Sequence, residues 1–188
     1  TSELFVMGYH GTVDPEMVLN KTQARAVIRG GPEDTVTEIC QNRNFSDIAG
    51  ISYLQNGQMV SNPERISFDL KKLPVPAFHL LNTRKYFYEI LGGNFALFEV
   101  GRGCNFPCKF CNKIMYGPRL QAKSIKQVCE ELKTAIETQG VKTGYFMDLE
   151  FLAYKGIVEG VCDFLIAQKY AFRWCCQTRA DSLNLSIL

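Results

Sequence analysis

Several classes of protein are excluded by what this sequence does not contain. No apolar run approaches the roughly 18–20 residues that a membrane-spanning helix needs. No basic segment precedes an apolar stretch near the start, so no secretory signal is visible. Charge of one sign is also scarce: 21 Lys and Arg against 19 Asp and Glu leave a net charge of +2. That balance gives no electrostatic basis for binding nucleic acid or an anionic membrane. There is no internal repeat, no low-complexity tract, and no second C-x2-C or H-x3-H of the kind that closes a structural zinc site.

What is present is globular in character. The chain has 188 residues, 46% of them hydrophobic and 21% charged. That is enough for one domain, or for two small or incomplete ones. It begins at Thr1, almost directly on the apolar run Leu4-Phe5-Val6-Met7, and stops at Leu188 one turn into what reads as a helix. Both ends are therefore expected to be cuts in a longer protein.

Along the chain, residues 4–8 read as a short buried strand ending in a loop. Asp14-Pro15-Glu16 gives a helix start with Pro in the first turn. Ala26-Val27-Ile28-Arg29 is a second strand closed by Gly30-Gly31, and Pro32-Glu33-Asp34 opens a helix running to about Cys40. The rhythm is that of an open α/β sheet. Asn56-Gly57, between Ile51–Leu54 and Met59-Val60, predicts a tight hairpin. Residues 61–82 carry Pro63, Pro74 and Pro76 with little periodicity and read as a linker. A second strand–helix alternation starts near Phe95, with strands at 96–100, 144–147 and 172–177. Its helices are expected from an N-cap at Ser124 to Gly140 and over 156–169. Alternation without hairpins predicts parallel strands, whose carboxyl ends are where sites form.

Three of the eight cysteines fall within eight residues, as Cys104, Cys108 and Cys111 in C-x3-C-x2-C spacing. The other five lie in apolar periodic segments and read as small buried hydrophobes. Thiols and a metal centre in a reducing cytoplasm fit this pattern better than disulfides. Three close thiolates can bind three irons of a cubane cluster and leave the fourth iron open to a substrate or cofactor. The alternative is zinc, with a fourth ligand from Cys129 or Cys175.

The stretch Gly101-Arg102-Gly103-Cys104-Asn105-Phe106-Pro107-Cys108-Lys109-Phe110-Cys111 resembles the cysteine motif of the radical S-adenosylmethionine (radical SAM) superfamily, including the aromatic Phe110 before the last cysteine. The resemblance implies a [4Fe–4S] cluster on Cys104, Cys108 and Cys111, with SAM chelated at the open iron and Phe110 beside it. It also implies an external electron donor such as a flavodoxin or ferredoxin. One electron then cleaves SAM to methionine and a 5′-deoxyadenosyl radical that abstracts hydrogen from a small-molecule substrate. Many relatives carry a Gly-Gly-Glu-type motif after the second strand, where this chain has Met147-Asp148-Leu149-Glu150. Acidic variants of this kind resemble the cobalamin-associated branch. Glu150, with Asp148 second, is the expected contact for the SAM ammonium, the other reading being a solvated strand-end acid. Gln177 and Arg179 alternate at the end of the third strand and are expected to face the same interior, where Arg179 can clamp a carboxylate, the other reading being a surface Arg that caps the following helix. Arg119 and Lys123 follow the cluster loop within reach of the same pocket, but read as solvated charges.

Met7-Gly8-Tyr9-His10-Gly11-Thr12, Val27-Ile28-Arg29-Gly30-Gly31-Pro32-Glu33-Asp34 and Leu73-Pro74-Val75-Pro76-Ala77 extend the likeness to a cobalamin-binding domain joined to a radical SAM barrel. In that family Gly8, His10, Gly11 and Thr12 would lie in a loop near the cofactor's nucleotide tail. The family's cobalt-binding Asp-x-His-x-x-Gly motif is absent: neither His10 nor His79 has Asp two residues before it. Tyr86, Phe87 and Tyr88 are expected to pack between domains. Without basic interleaving they give no base-stacking platform, which argues against nucleic acid.

The expected architecture is α/β. Residues 1–60 form the tail of an open Rossmann-like cobalamin-binding domain, 61–94 a linker, and 95–188 the first half of a parallel β/α barrel. The expected function is that of a cobalamin-dependent radical SAM methyltransferase acting on an unactivated carbon. The alternatives are a radical SAM enzyme of another outcome (cyclisation, ring contraction, methylthiolation) and a non-catalytic iron–sulfur or zinc module. Half a barrel by itself is expected to be inactive, since it leaves the radical open to solvent.

Overall fold

A computed structural model describes residues 3–65, 68–117 and 119–183. The expected helix at Leu188 lies outside them. The chain divides into two units, the first holding residues 1–68 and 107–117, the second 69–106 and 118–188.

In the first unit, β1 (Phe5–Met7), α1 (Tyr9–Val13), α2 (Pro15–Lys21), β2 (Ala26–Ile28), α3 (Glu33–Cys40), β3 (Ile51–Gln55) and β4 (Gln58–Ser61) follow in order. The sheet order is β1-β2-β3-β4, parallel between β1 and β2 and antiparallel thereafter. Ala26, Val27 and Ile28 are all buried, as an unbroken apolar run in a central strand should be. The Asp14 carboxylate accepts the Met17 N–H at 3.0 Å and caps α2, whose first residue is Pro15. Asn56 (φ 52°) and Gly57 (φ 78°) turn the β3–β4 hairpin in the left-handed region that this dipeptide tolerates.

One segment differs from its expectation. Residues 9–13, read as a loop, form helix α1. The Thr12 hydroxyl and N–H both return to the Gly8 carbonyl, at 2.8 and 3.0 Å, and close the turn. Gly11 lets this turn lie against β2: a Cβ there would stand 2.8 Å from a Val27 methyl carbon.

The second unit is built on β7 (Phe95–Phe98), β10 (Thr143–Phe146) and β11 (Arg173–Cys176), parallel in the order β11-β10-β7. Helices α4 (Ile125–Lys133) and α5 (Lys155–Ala167) supply Val128, Leu132, Val158, Val161 and Leu165 to a core shared with Phe98, Phe146 and Phe151. Ser124 and Gln127 form a reciprocal capping box at the start of α4. A π-helical turn extends α4 through Thr138, and Gly140 follows at φ +65°. Short pairs β5–β6 (Phe87–Tyr88, Gly92–Gly93) and β8–β9 (Gly101–Arg102, Gln121–Ala122) complete the unit. Tyr88 stacks on Phe95 and Tyr145 inside this unit, while Tyr86 and Phe87 are exposed.

Register decides where a site can form. Phe98, Phe146 and Cys176 lie level with one another. The segments that follow them, 99–102, 147–150 and 177–179, therefore leave the sheet side by side.

Candidate functional site

The segment leaving β7 is fixed before it reaches the first cysteine. The Asp148 carboxylate, just past β10, accepts the Val100 N–H at 3.1 Å and the Gly101 N–H at 2.6 Å. The Lys123 N–H donates to the Val100 carbonyl at 2.9 Å, and the Tyr154 hydroxyl to the Arg102 carbonyl at 2.9 Å. β8 and β9 close the base of the loop between them. Gly101 sits where no side chain fits: a Cβ would stand 2.2 Å from the Gln121 carbonyl oxygen and 2.6 Å from the Tyr154 ring. Gly101→Ala is therefore expected to cost about 2–3 kcal/mol, read as a lowered denaturant midpoint with an unchanged slope.

A second set of groups holds the same base. Lys123 Nζ lies 2.9 Å from Glu131 and 3.8 Å from Glu99, and Arg102 forks onto Glu99 at 2.8 and 3.0 Å. The Lys123 and Glu131 side chains are each only 3% exposed. Lys123, expected to be solvated, is thus a buried partner of α4. Arg119 is exposed.

Cys104 is buried, Cys108 half-buried and Cys111 exposed, and none of the eight cysteines is in a disulfide. Cys104 belongs to the second unit and residues 107–117 to the first. The Cys111 N–H turns back to the Cys108 carbonyl at 3.2 Å. Among the described residues no three His, Cys, Asp or Glu side chains stand close enough together to hold a metal ion. Phe110 is 92% exposed. Burial raises the thiol pKa values of Cys129, Cys162 and Cys175, and pushes that of Cys176 up to about 11. This disfavours the thiolates that a fourth ligand from Cys129 or Cys175 would require. Of the five cysteines expected to be buried, Cys40 is exposed and Cys129, Cys162, Cys175 and Cys176 are half-buried.

The acidic pair is neither solvated nor on one face. β10 ends at Phe146, and the chain bends before Glu150. Asp148 reaches back to the β7 end. Glu150 reaches the β11 end, where it accepts the Thr178 hydroxyl at 2.6 Å and the Arg179 N–H at 2.8 Å. Both residues are at most 2% exposed. The two carboxylates thus each hold a neighbouring strand end. The Arg179 guanidinium lies 4.3 Å over the Phe106 ring, within the cysteine loop, and pairs with Asp181 at 2.6 Å. Gln177 is exposed, and its carbonyl accepts the Phe151 N–H.

Burial pushes the Asp148 pKa up to about 6, against the lowering pull of the Val100 and Gly101 amides. Glu99 raises it further. A free aspartate titrates near 3.8. The stabilisation due to this group is thus fully present below that value and lost as pH rises through about 6. Across that window wild-type stability should fall relative to Asp148→Asn by on the order of 3 kcal/mol, measured as paired urea unfolding curves.

In the first unit, His10 is exposed and Gly11 buried. Gly8, at φ 117°, precedes α1. Thr12 accepts the Gly30 N–H at 3.1 Å and lies 3.1 Å from the Met115 sulfur, so it ties α1 to the ends of two loops. No composition or spacing signal marks Thr12, Lys123 or Tyr154 for these roles.

No family model matches the chain. Superposed on the cobalamin-dependent SAM radical enzyme OxsB with aqua-cobalamin and SAM bound, it gives a TM-score of 0.75 over 95% of its length, at 18% identity. The fold is that of the cobalamin-dependent radical SAM enzymes. The radical SAM methyltransferase TsrM from Kitasatospora setae, with cobalamin and a [4Fe–4S] cluster bound, matches 88% of the chain at a TM-score of 0.62 and 16% identity. Among curated proteins, an uncharacterized methyltransferase of Pyrococcus horikoshii is 28% identical over 184 residues, 94% of this chain. The anaerobic magnesium-protoporphyrin IX monomethyl ester cyclase of Rubrivivax gelatinosus is 24% identical over 185 residues. The chain spans 40% and 33% of these two relatives, and 26% of OxsB.

Proposed function

We propose that this chain carries the cluster- and SAM-binding part of a cobalamin-linked radical SAM enzyme that transfers a methyl group to an unactivated carbon. The observation that supports it is the three-thiol loop leaving the end of β7, in a fold shared with OxsB and TsrM. The donor set suits a [4Fe–4S] cluster: three thiols on one loop with its base held, while partial burial raises the thiol pKa values of Cys129 and Cys175. Such a cluster, when bound, supplies one electron and an iron open to SAM.

The chain's own residues do the rest. Asp148, Lys123 and Tyr154 fix the backbone from which Cys104 emerges. Glu150 holds Thr178 and Arg179 at the neighbouring strand end, and Arg179 covers Phe106 within the loop. Phe110, fully open, is offered as the aromatic that shields bound SAM from water. Gly8, His10, Gly11 and Thr12 are assigned to a cobalamin tail by the family resemblance, with Thr12 acting through the turn it closes. A small-molecule substrate, a flavodoxin- or ferredoxin-like electron donor and a reducing cytoplasm complete the proposal. Among the described residues no helix is long and apolar enough to cross a membrane.

Anaerobic reconstitution followed by iron, sulfide and SAM-binding assays tests this reading. About four irons and four sulfides per chain, with SAM binding that perturbs the reduced cluster's EPR spectrum, is the expected result. A single zinc, or iron without SAM binding, would overturn it. The cyclase relatives favour a second outcome of the same chemistry, ring formation. Product analysis on the longest natural form of the protein separates the two: a transferred methyl group for one, a new ring for the other.

A further inference from the structure

Asp148 is the least expected feature of the second unit. It is a buried carboxylate, 2% exposed, that faces two backbone amides rather than a cation. Such a group is costly to bury unless its lone pairs are met, and here they are met by Val100 and Gly101, four and three residues before Cys104. The same segment receives the Lys123 N–H at the Val100 carbonyl and the Tyr154 hydroxyl at the Arg102 carbonyl. Gly101 has no free volume in which to move, as its missing Cβ would meet both Gln121 and Tyr154. A backbone held on every side, ending at a buried cysteine, has one evident use: it sets where that thiol emerges.

We propose that Asp148 is a positioning residue for Cys104, fixing through the Val100 and Gly101 amides the point at which the first thiol of the loop leaves the sheet. This rests on the cluster assignment made above, and the test separates the two. Asp148→Asn keeps the size and one acceptor oxygen but turns an amide donor toward a backbone donor. Tyr154→Phe is the second variant, loosening the same segment from its other side without altering a buried charge.

Two readouts are needed on the metal-free and the reconstituted protein. In the metal-free protein, amide exchange at Val100 and Gly101 should quicken on the order of 10- to 100-fold in Asp148→Asn, and less in Tyr154→Phe. Exchange at Tyr53, in the other unit, should not change. In the reconstituted protein, Asp148→Asn should lower iron and sulfide content or shift the reduced-cluster EPR spectrum, and Tyr154→Phe should shift it in the same sense. Unaltered exchange at the two amides in both variants overturns the clamp. Faster exchange with unaltered iron content and spectrum in both variants overturns the positioning role, leaving a purely structural one. If Asp148→Asn does not fold, Tyr154→Phe decides by the same two measurements. If the wild-type protein itself assembles no cluster, the cluster assignment fails and the positioning role with it, while the exchange data still show whether the clamp exists.

Discussion

Replacing Cys104, Cys108 or Cys111 by Ala, one at a time, is expected to remove most of the iron and sulfide that the reconstituted protein holds. The reason is stoichiometric. A cubane bound by three thiolates has no protein ligand to spare, and the loss of one leaves two irons exposed to water and oxygen. The variants should remain folded, because none of the three thiols holds the β7–β10–β11 sheet together; its core is Phe98, Phe146, Phe151 and the helix residues packed on them. Cys104→Ala is the informative member, since Cys104 alone of the three is buried. Cys129→Ala and Cys175→Ala should keep full iron content, because burial already disfavours their thiolates. Full iron and sulfide in Cys104→Ala, or a loss in Cys175→Ala as severe as in Cys108→Ala, would show that the ligand set is wrong.

Lys123→Met should be the most destabilising change in the second unit, at about 3–5 kcal/mol. Lys123 Nζ is 2.9 Å from Glu131, both side chains are 3% exposed, and Glu99 lies 3.8 Å away. Removing the ammonium leaves Glu131 buried opposite an apolar chain. Burial already raises the Glu131 pKa, and Lys123 is what pulls it back down. In the variant that restraint is gone and Glu131 takes up a proton on folding at higher pH. The folded pKa rises further above the unfolded one, so the loss of stability should be smallest at low pH and grow as pH increases. Adding Glu131→Leu to Lys123→Met should recover most of the loss, since a buried pair replaced by apolar groups costs little. Urea unfolding of the single and double variants at pH 5 and pH 8 provides the check. A double variant no more stable than the single one would mean that Lys123 acts through Glu99 and Arg102 instead.

These outcomes depend on different kinds of information in the chain. Helix starts at Asp14 and Ser124, the stop at Gly140 and the hairpin at Asn56-Gly57 follow from signals confined to a few residues: a capping side chain, a proline, a dipeptide that accepts positive φ. Strand–helix alternation after Phe95 is likewise visible as periodicity, and it yields parallel strands whose level carboxyl ends carry the cysteine loop. The three cysteines could be singled out because their spacing is itself the signal. Helix α1 escaped because one turn closed by Thr12 on Gly8 leaves no periodicity to detect.

The roles of Asp148, Glu150 and Lys123 were decided only by the tertiary structure. On a strand that stayed extended, Asp148 and Glu150 would share a face. Once β10 ends at Phe146 they diverge, and each carboxylate goes to whichever unpaired amides the adjacent strand end offers. Lys123 looks like any charge after a loop until α4 packs Glu131 against it. In each case the partner lies between 8 and 48 residues away in sequence, and a buried charge is settled by whichever partners the fold brings within about 3 Å of it, something no local pattern of residues encodes.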